Sequence, residues 1–231
     1  ENNKIKHQYV FLITHDIKGH LAAIKNCLDA IMVNIPIEKK EEFIIRAHTR
    51  TEKLIVFIQD LLRITQLRLN DSIVTEEFSL SEIINELIET YREKILEKKL
   101  SLQLELSEIT IVADKLSIRE VFENLLSNSI KYTPQGGSIM IKTSGHISEK
   151  VKIEFSDTGM GIPKNELSQI FDEFFVASNN KERAAHSSGM GLAIVHNIIK
   201  SHKGTLQVNS KEGNGTTFTI RLPQLTGTSI H

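Results

Sequence analysis

Two histidines, His15 and His20, lie five residues apart in the segment FLITHDIKGHLAAI. A neutral imidazole can act as a nucleophile, and the neighbouring Asp16 offers a carboxylate that can orient the His15 ring and take its proton. At about 100° per helical residue, His20 lies about 140° round the helix from His15, and the centre of the apolar stripe lies about 160° from His15. We therefore expect His15 to face solvent and His20 to pack within the buried stripe.

Four further segments carry residues that can do chemistry. FENLLSNSIKY places Asn124 and Asn128 at i and i+4 on one helix face, and DTGMGIP sets Asp157 among glycines at the end of a strand. IFDEFF carries three phenylalanines, and GMGLAIV opens a helix. Alone, these segments read as a solvated helix face, a turn, core residues and a loop-to-helix junction. Their order and spacing together are far more specific.

The four segments resemble the N box, first glycine box, F box and second glycine box of the ATP-binding domain shared by sensor histidine kinases, DNA gyrase and Hsp90. The resemblance covers residues 76–223. It implies an α+β two-layer sandwich that binds ATP and Mg²⁺, with Asn128 as the metal ligand and Asp157 accepting a hydrogen bond from the adenine amino group. The residues expected at the nucleotide are Asn124, Asn128, Lys131, Tyr132, Asp157, Gly159, Gly161, Ile162, Phe171, Lys181, Arg183, Gly189, Met190, Gly191, Leu192 and Thr216.

Position 124 separates two activities within that family. Members that hydrolyse ATP carry Glu there to activate water, whereas the amide of Asn124 cannot take a proton. The resemblance therefore favours a kinase, which excludes water from the γ-phosphate and transfers the γ-phosphoryl group to another acceptor. We assign Asn124 to the catalytic residues for this reason.

Residues 176–188 form a polar stretch that is expected to act as a lid over ATP. Val176 stands where sensor kinases often have Arg. The cation at the γ-phosphate must then come from Lys181, Arg183 or Lys131.

The segment THDIKGHL resembles the H box of sensor histidine kinases. His15 matches the phosphoacceptor and Asp16 the acid beside it, and the two complete the expected catalytic set. In related kinases the residue four positions after the histidine is often Thr or Asn, which orients a water at the phosphorylated aspartate of the regulator. Gly19 has no side chain to do so, and we expect slow or absent phosphatase action.

Two long helices, at residues 1–33 and 38–69, are predicted by apolar residues spaced three or four apart, with Pro36 breaking the pattern between them. Such a hairpin packs antiparallel, but two helices cannot cover both apolar stripes. A second copy would close a four-helix bundle, so we expect a homodimer. Residues 1–75 are assigned to this dimerisation and phosphoacceptor domain.

Residues 76–231 are assigned to the catalytic ATP-binding domain, an α+β fold with antiparallel strands and three helices on one face. Helices are predicted at residues 80–97, 114–133 and 189–202. The strands are predicted in SLQLEL, SIMIKTS, VKIEFSD, TLQVNS and TTFTIRL, the last two as a hairpin around KEGNG.

Composition limits the alternatives. The net charge is −1 and gives no reason to expect nucleic-acid binding, and a single cysteine, Cys27, excludes a disulfide framework. No apolar run reaches the length of a membrane span. We expect a cytoplasmic fragment of a longer protein, joined to a membrane only through parts outside this sequence.

The function expected is ATP-dependent autophosphorylation of His15, followed by transfer of the phosphoryl group to an aspartate in the receiver domain of a response regulator. One alternative is a related ATPase that uses nucleotide-driven conformational change without a phosphohistidine. A second is a scaffold that dimerises and binds a partner without catalysis.

Overall fold

The computed structural model describes residues 2–33, 36–69, 74–145, 150–180 and 188–223. Its side-chain detail in the first helix begins at Ile13. The chain forms two compact units that part between Leu62 and Arg63. The domain boundary at residues 75 and 76 stays a prediction.

The first unit is a hairpin of two long helices, α1 (Asn2–Met32) and the part of α2 (Ile37–Leu69) that ends at Leu62. Pro36 directly precedes α2, and its carbonyl accepts hydrogen bonds from the N–H groups of Lys39 and Lys40 at 3.1 and 3.2 Å. Proline thus starts the second helix, as a residue that lacks an N–H does without loss. Both predicted helices are confirmed.

The second unit mixes strands and helices in the order predicted for an α+β domain. Its elements are β1 (Glu76–Ser79), α3 (Leu80–Thr90), α4 (Arg92–Glu97), β2 (Ser101–Glu105), β3 (Thr110–Ala113), α5 (Lys115–Tyr132), β4 (Ser138–Ser144), β5 (Val151–Asp157), a 3₁₀ turn (Ser178–Asn180), α6 (Gly191–Ser201), β6 (Thr205–Lys211) and β7 (Gly215–Leu222).

Five strands form the main sheet in the order β2-β4-β5-β7-β6, and β1 pairs with β3 in a separate two-stranded sheet. The prediction of antiparallel pairing is wrong for one pair, because β2 runs parallel to β4. Parallel neighbours need a crossover connection, and α5 lies in the segment that returns the chain from β2 to β4. The remaining pairs of the main sheet are antiparallel.

The core of this unit lies between one face of the main sheet and the helices. Along β5 the side chains alternate, with Val151, Ile153 and Phe155 buried. Phe155 meets Phe122 of α5 with ring centroids 5.5 Å apart. An aromatic pair of this geometry adds to the stabilisation from buried area and fixes α5 against the sheet.

The helix predicted at residues 80–97 is two helices, because the backbone turns at Tyr91, with φ −97° and ψ 5°. The Tyr91 hydroxyl donates to Glu123 of α5 at 3.1 Å, and this tertiary contact holds the residue at the break. The N-terminus of α5 is capped by Asp114, whose carboxylate accepts from the Ser117 N–H at 3.0 Å. Among the described helices, none combines the length and apolar character needed to cross a membrane.

Candidate active site

Helix α5 carries the two predicted asparagines on a half-buried face next to its core face. The Asn124 side-chain N–H donates to the Glu120 carbonyl at 3.0 Å, so its Oδ1 points away from its own helix. That oxygen lies against Gly191, where a Cβ would stand only 2.6 Å from it. The glycine at the start of α6 thus lets the two helices meet at Asn124.

Asp157 ends β5 at a point where several donors converge on its carboxylate. The Gly159 N–H donates to one oxygen at 2.8 Å and the Ser129 hydroxyl to the other at 3.4 Å. The Thr216 main chain adds a further hydrogen bond. Burial raises the pKa of Asp157 above its ordinary value, and these donors oppose that effect. A carboxyl held this way is a fixed acceptor in a largely dry place.

The loop after Asp157 is seated on the hairpin of β6 and β7. Gly161 has φ +66°, and a Cβ there would stand 2.1 Å from the Lys211 carbonyl oxygen, so the close approach requires glycine. The Ile162 N–H donates to the Ser210 hydroxyl at 2.9 Å. Ser210 also meets the hydroxyl of the buried Thr216 at 2.9 Å. The wall of the site is therefore a hydrogen-bonded unit.

Helix α6 begins at Gly191 without a side-chain cap, since its N-cap residue is Met190 and that side chain is fully buried. Gly189 precedes it in the loop, and Leu192 in its first turn is half-buried. N–H groups at an uncapped helix start, together with the positive end of the helix dipole, suit an anionic ligand such as phosphate.

The predicted cation Lys131 and the F-box residue Phe171 each contact a different aromatic ring. The Lys131 ammonium lies 5.1 Å from the ring centroid of its neighbour Tyr132, a cation–π contact. The Phe171 ring stacks on His196 of α6, with centroids 5.3 Å apart and planes tilted by 26°. Lys181, Arg183 and most of the predicted lid lie outside the described residues.

Sequence reasoning missed three residues of this region: Ser129, Ser210 and His196. Ser129 follows Asn128 and is buried, and a polar residue in a helical core position was the available signal. Ser210 ends a strand of alternating polarity and gave no signal. His196 lies five residues after Gly191 on an exposed face, where a histidine has no single meaning.

In the first unit, the two histidines differ as expected. The His15 side chain is 73% exposed, and its Nδ1 lies 3.2 Å from Asp16 Oδ1. An ionised carboxylate only accepts hydrogen bonds, so Nδ1 donates, and in the neutral ring Nε2 carries the lone pair.

His20 is packed between the helices of the hairpin. Its ring lies 6.3 Å from that of Phe57 on α2. Burial, followed by the positive charge of Arg50, lowers the pKa of His20 below its ordinary value. Its Nδ1 is buried and finds no hydrogen-bond partner among the described residues. These features describe a neutral packing residue rather than an acceptor.

Comparison with known proteins agrees with this geometry. The family model described as histidine kinase-, DNA gyrase B- and HSP90-like ATPase matches residues 113–226. The adaptive-response sensory kinase SasA of Synechococcus elongatus is 31% identical to this chain over 96% of its residues. The chain belongs to the histidine kinase family. It spans 60% of the length of SasA. The family model and this relative together support a sensor histidine kinase catalytic core.

Solved structures establish that this histidine kinase has the expected fold. ThkA, in its complex with the response regulator TrrA, matches with a TM-score of 0.77 at 23% identity, over 97% of this chain and 63% of that one. Full-length ShkA, in complex with AMPPNP, matches with a TM-score of 0.69 at 18% identity, over 94% of this chain and 46% of that one. The predicted family and the predicted fold class, a helical hairpin followed by an ATPase-type α+β domain, are confirmed.

Proposed function

We propose that this chain transfers the γ-phosphoryl group of ATP to His15. The observation that carries the proposal is the pair of His15 and Asp16, an exposed imidazole whose Nδ1 is held by a carboxylate. This contact leaves Nε2 as the nucleophile and provides an acceptor for the proton on Nδ1. A scaffold without catalysis has no use for that arrangement.

The chemistry follows from these two side chains. Nε2 of His15 attacks the γ-phosphorus, an N–P bond forms, and the bond from phosphorus to the β–γ bridging oxygen breaks so that ADP leaves. The imidazole becomes cationic as the new bond forms. Its Nδ1 proton then passes to Asp16 or from there to solvent, which restores a neutral phosphorylated ring.

The ATP-binding domain fits the donor substrate. Asp157 offers a fixed acceptor for the adenine amino group, and the uncapped N-terminus of α6 at Gly191 suits phosphate. Asn128, on the half-buried face of α5, offers a neutral amide oxygen of the kind that Mg²⁺ accepts beside phosphates. Mg²⁺, when bound there, supplies positive charge to the phosphate groups.

At position 124, where family members that hydrolyse ATP carry Glu, this site has no group that can activate water. The side chain that abuts Gly191 is Asn124, whose amide cannot remove a proton from water. This favours transfer to His15 over the alternative of a nucleotide-driven ATPase. We assign Asn124 the role of holding the junction of α5 and α6 at the phosphate end of the site.

The hairpin supports the proposal of a homodimer. Leu21 and Leu28 on α1 are 51% and 50% exposed, and Ile55 and Leu62 on α2 are 45% and 57% exposed. Each pair is spaced by seven residues and so lies on one helix face. Apolar stripes of this kind are covered when a second hairpin closes a four-helix bundle.

We extend the proposal to a response regulator as the next acceptor, since the related ThkA is seen bound to one. The phosphoryl group would pass from His15 to an aspartate of its receiver domain. We also propose a cytoplasmic location for this chain, where ATP is available as the phosphoryl donor.

Incubation with Mg²⁺ and ATP labelled at the γ-phosphate tests the proposal. Label on the protein that acid removes and base does not is expected, because a phosphoramidate has that stability. Free labelled phosphate without protein label would support the ATPase instead. If neither product forms, the non-catalytic scaffold is favoured. Free phosphate alone and the absence of both products would each contradict a kinase.

A further inference from the structure

The last turn of α5 has an unusual ending. A helix leaves its final carbonyls without partners of its own, and the common solution is a glycine in the left-handed conformation just after it. Here the C-cap residue, Thr133, is extended, with φ −76° and ψ 129°, and only its N–H returns to the helix, to the Ser129 carbonyl at 3.0 Å. The carbonyls that follow need other donors.

Lys98, which belongs to none of the sequence motifs described above, supplies those donors. Its ammonium donates to the carbonyls of Ile130, Lys131 and Thr133 at 2.6, 3.1 and 2.9 Å. An ammonium has three N–H groups, which equals the number of carbonyls that it contacts here. A cation at the C-terminus also opposes the negative end of the helix dipole.

The backbone places Lys98 there firmly. Lys98 is the C-cap of α4, and Lys99 turns the chain with φ +52°. The Lys98 carbonyl accepts from the Gly136 N–H at 2.9 Å, and the Ser101 N–H donates to the Gly137 carbonyl at 2.8 Å. The turn after α4 and the turn after α5 are thus tied together on both sides of the ammonium.

The turn held by Lys98 is the one that touches the nucleotide site. The remaining carbonyl, that of Tyr132, accepts from the Met160 N–H at 3.4 Å, in the loop after Asp157. Ser129, in the same turn, donates to the Asp157 carboxylate. Lys131 and Tyr132 are themselves predicted nucleotide contacts, and Asn128 lies one residue before the turn. A shift of this turn would therefore move contacts at both ends of the site.

We propose that Lys98 is a positioning residue for nucleotide binding, which holds the last turn of α5 in register with the adenine loop. It rests on the proposed function only for the identity of the nucleotide. Lys98 is not a catalytic residue, because its three donors end on main-chain carbonyls of the protein.

The test compares Lys98→Met, which keeps the stem and loses all donors, with Lys98→Arg, which keeps a cation with several donors. The matched control is Lys99→Met, since Lys99 is the exposed neighbour in the same turn. Calorimetry with AMPPNP and Mg²⁺ should show a Kd raised about tenfold or more in Lys98→Met, the scale of losing charge-assisted caps at a helix end. Lys98→Arg should stay within about threefold of wild type, and Lys99→Met should be unchanged.

Autophosphorylation rates provide the second readout. We expect Lys98→Met to raise the KM for ATP while the rate at saturating ATP stays near wild type, because the reacting groups are not altered. A lowered unfolding temperature with an unchanged Kd would mean a purely structural cap and would overturn the proposal. So would equal damage in Lys98→Arg and Lys98→Met.

Two further outcomes keep the test decisive. If Lys98→Met does not fold, Lys98→Gln takes its place, and a Kd equal to that of wild type would overturn the proposal. Wild-type protein that binds no AMPPNP would refute the proposed function itself. Wild-type binding that Lys98→Met and Lys98→Gln both retain would refute the role of Lys98 alone.

Discussion

The two compact units differ in how completely they bury their apolar side chains. In the ATP-binding domain, α5 alone buries Ile118, Val121, Phe122, Leu125 and Leu126 against the sheet and its neighbours. In the hairpin, among the described side chains between residues 13 and 62, the buried hydrophobic ones are Ala47 and Phe57. The ATP-binding domain therefore has a closed hydrophobic core, whereas the hairpin leaves much of its apolar surface exposed.

This difference suits the two units to different parts of the proposed reaction, nucleotide binding and phosphate acceptance. A closed core can hold the donors around Asp157 in fixed positions, which nucleotide selection requires. The hairpin exposes both the proposed acceptor, His15, and its apolar stripes, which a second copy would cover in the proposed dimer. We therefore expect damage in one unit to affect nucleotide affinity and damage in the other to affect assembly or phosphate acceptance, with little exchange between them.

The strongest test of the closed unit is at Asp157 and Asn128. We expect Asp157→Asn to raise the Kd for AMPPNP about 10- to 100-fold, because its amide would turn a donor toward the Gly159 N–H or the adenine amino group, a mismatch worth about 1–3 kcal/mol. Asn128→Asp should lose activity through altered charge at Mg²⁺. Calorimetry measures the first effect and labelling the second.

Asp172→Asn, at an exposed position, is the control for that comparison. Its Kd for AMPPNP should equal that of wild type. The proposed dimer should persist in every variant at these positions. Wild-type affinity in both Asp157→Asn and Asn128→Asp would show that the nucleotide site has been assigned wrongly.

The open unit is tested at Leu28. Each subunit of a Leu28→Glu dimer would bury an uncompensated carboxylate, at about 1–3 kcal/mol for each, so the dimer dissociation constant should rise about 100-fold. Analytical ultracentrifugation measures it, with Asn26→Glu on the exposed polar face as the matched control. AMPPNP affinity should not change. A Leu28→Glu protein that dimerises normally would contradict the four-helix bundle.

A gain of function is expected at Gly19, one helical turn after His15. Apart from its two chain neighbours and the backbone of its own helix, no heavy atom of the described residues lies within 4 Å of the position that a Cβ would occupy there, so there is room for Thr or Asn. A hydroxyl or amide at this place can orient a water at a phosphorylated aspartate, and we expect Gly19→Thr or Gly19→Asn to speed loss of label from a phospho-regulator about tenfold. Brisk dephosphorylation by the unaltered protein would refute the reasoning.

The smallest effect is expected from His20. Burial lowers its pKa from the ordinary 6.5, so the unfolded chain binds more protons than the folded one, and stability is lost as pH falls below about 6.5. His20→Leu should flatten this part of the stability–pH curve, and His20→Ala should lower the unfolding temperature by a few degrees. Thermal melts between about pH 5 and 7 measure both effects.

His48 on the exposed side of α2 provides the control, because His48→Leu removes a histidine that is 75% exposed. It should leave the slope of the curve unchanged. An unchanged slope in His20→Leu would remove the argument that His20 is a buried neutral ring.

The sequence was sufficient where a pattern maps directly onto local geometry. β4 and β5 coincide with the predicted segments SIMIKTS and VKIEFSD, and α5 follows an Asp and ends before a Pro. The exposed His15 and the packed His20 follow from helical periodicity alone.

The sequence was insufficient where contacts distant in the chain decide the structure. The strands β1 and β3 are four residues each and show no clear alternation, so their pairing was missed. The break at Tyr91 depends on Glu123, and the parallel β2–β4 pair depends on the crossover through α5. Lys98 looks like any surface lysine until its three carbonyl partners are seen.

The destination of the phosphoryl group is the most direct test of the proposed kinase activity. Wild-type protein labelled with γ-phosphate from ATP should carry the label on His15, and phosphorus NMR should place it on Nε2, because Nδ1 is held by Asp16. His15→Gln should take no label while binding AMPPNP normally, and His20→Ala should still be labelled. Label that persists in His15→Gln at the wild-type rate, or that maps to another residue, would contradict the account.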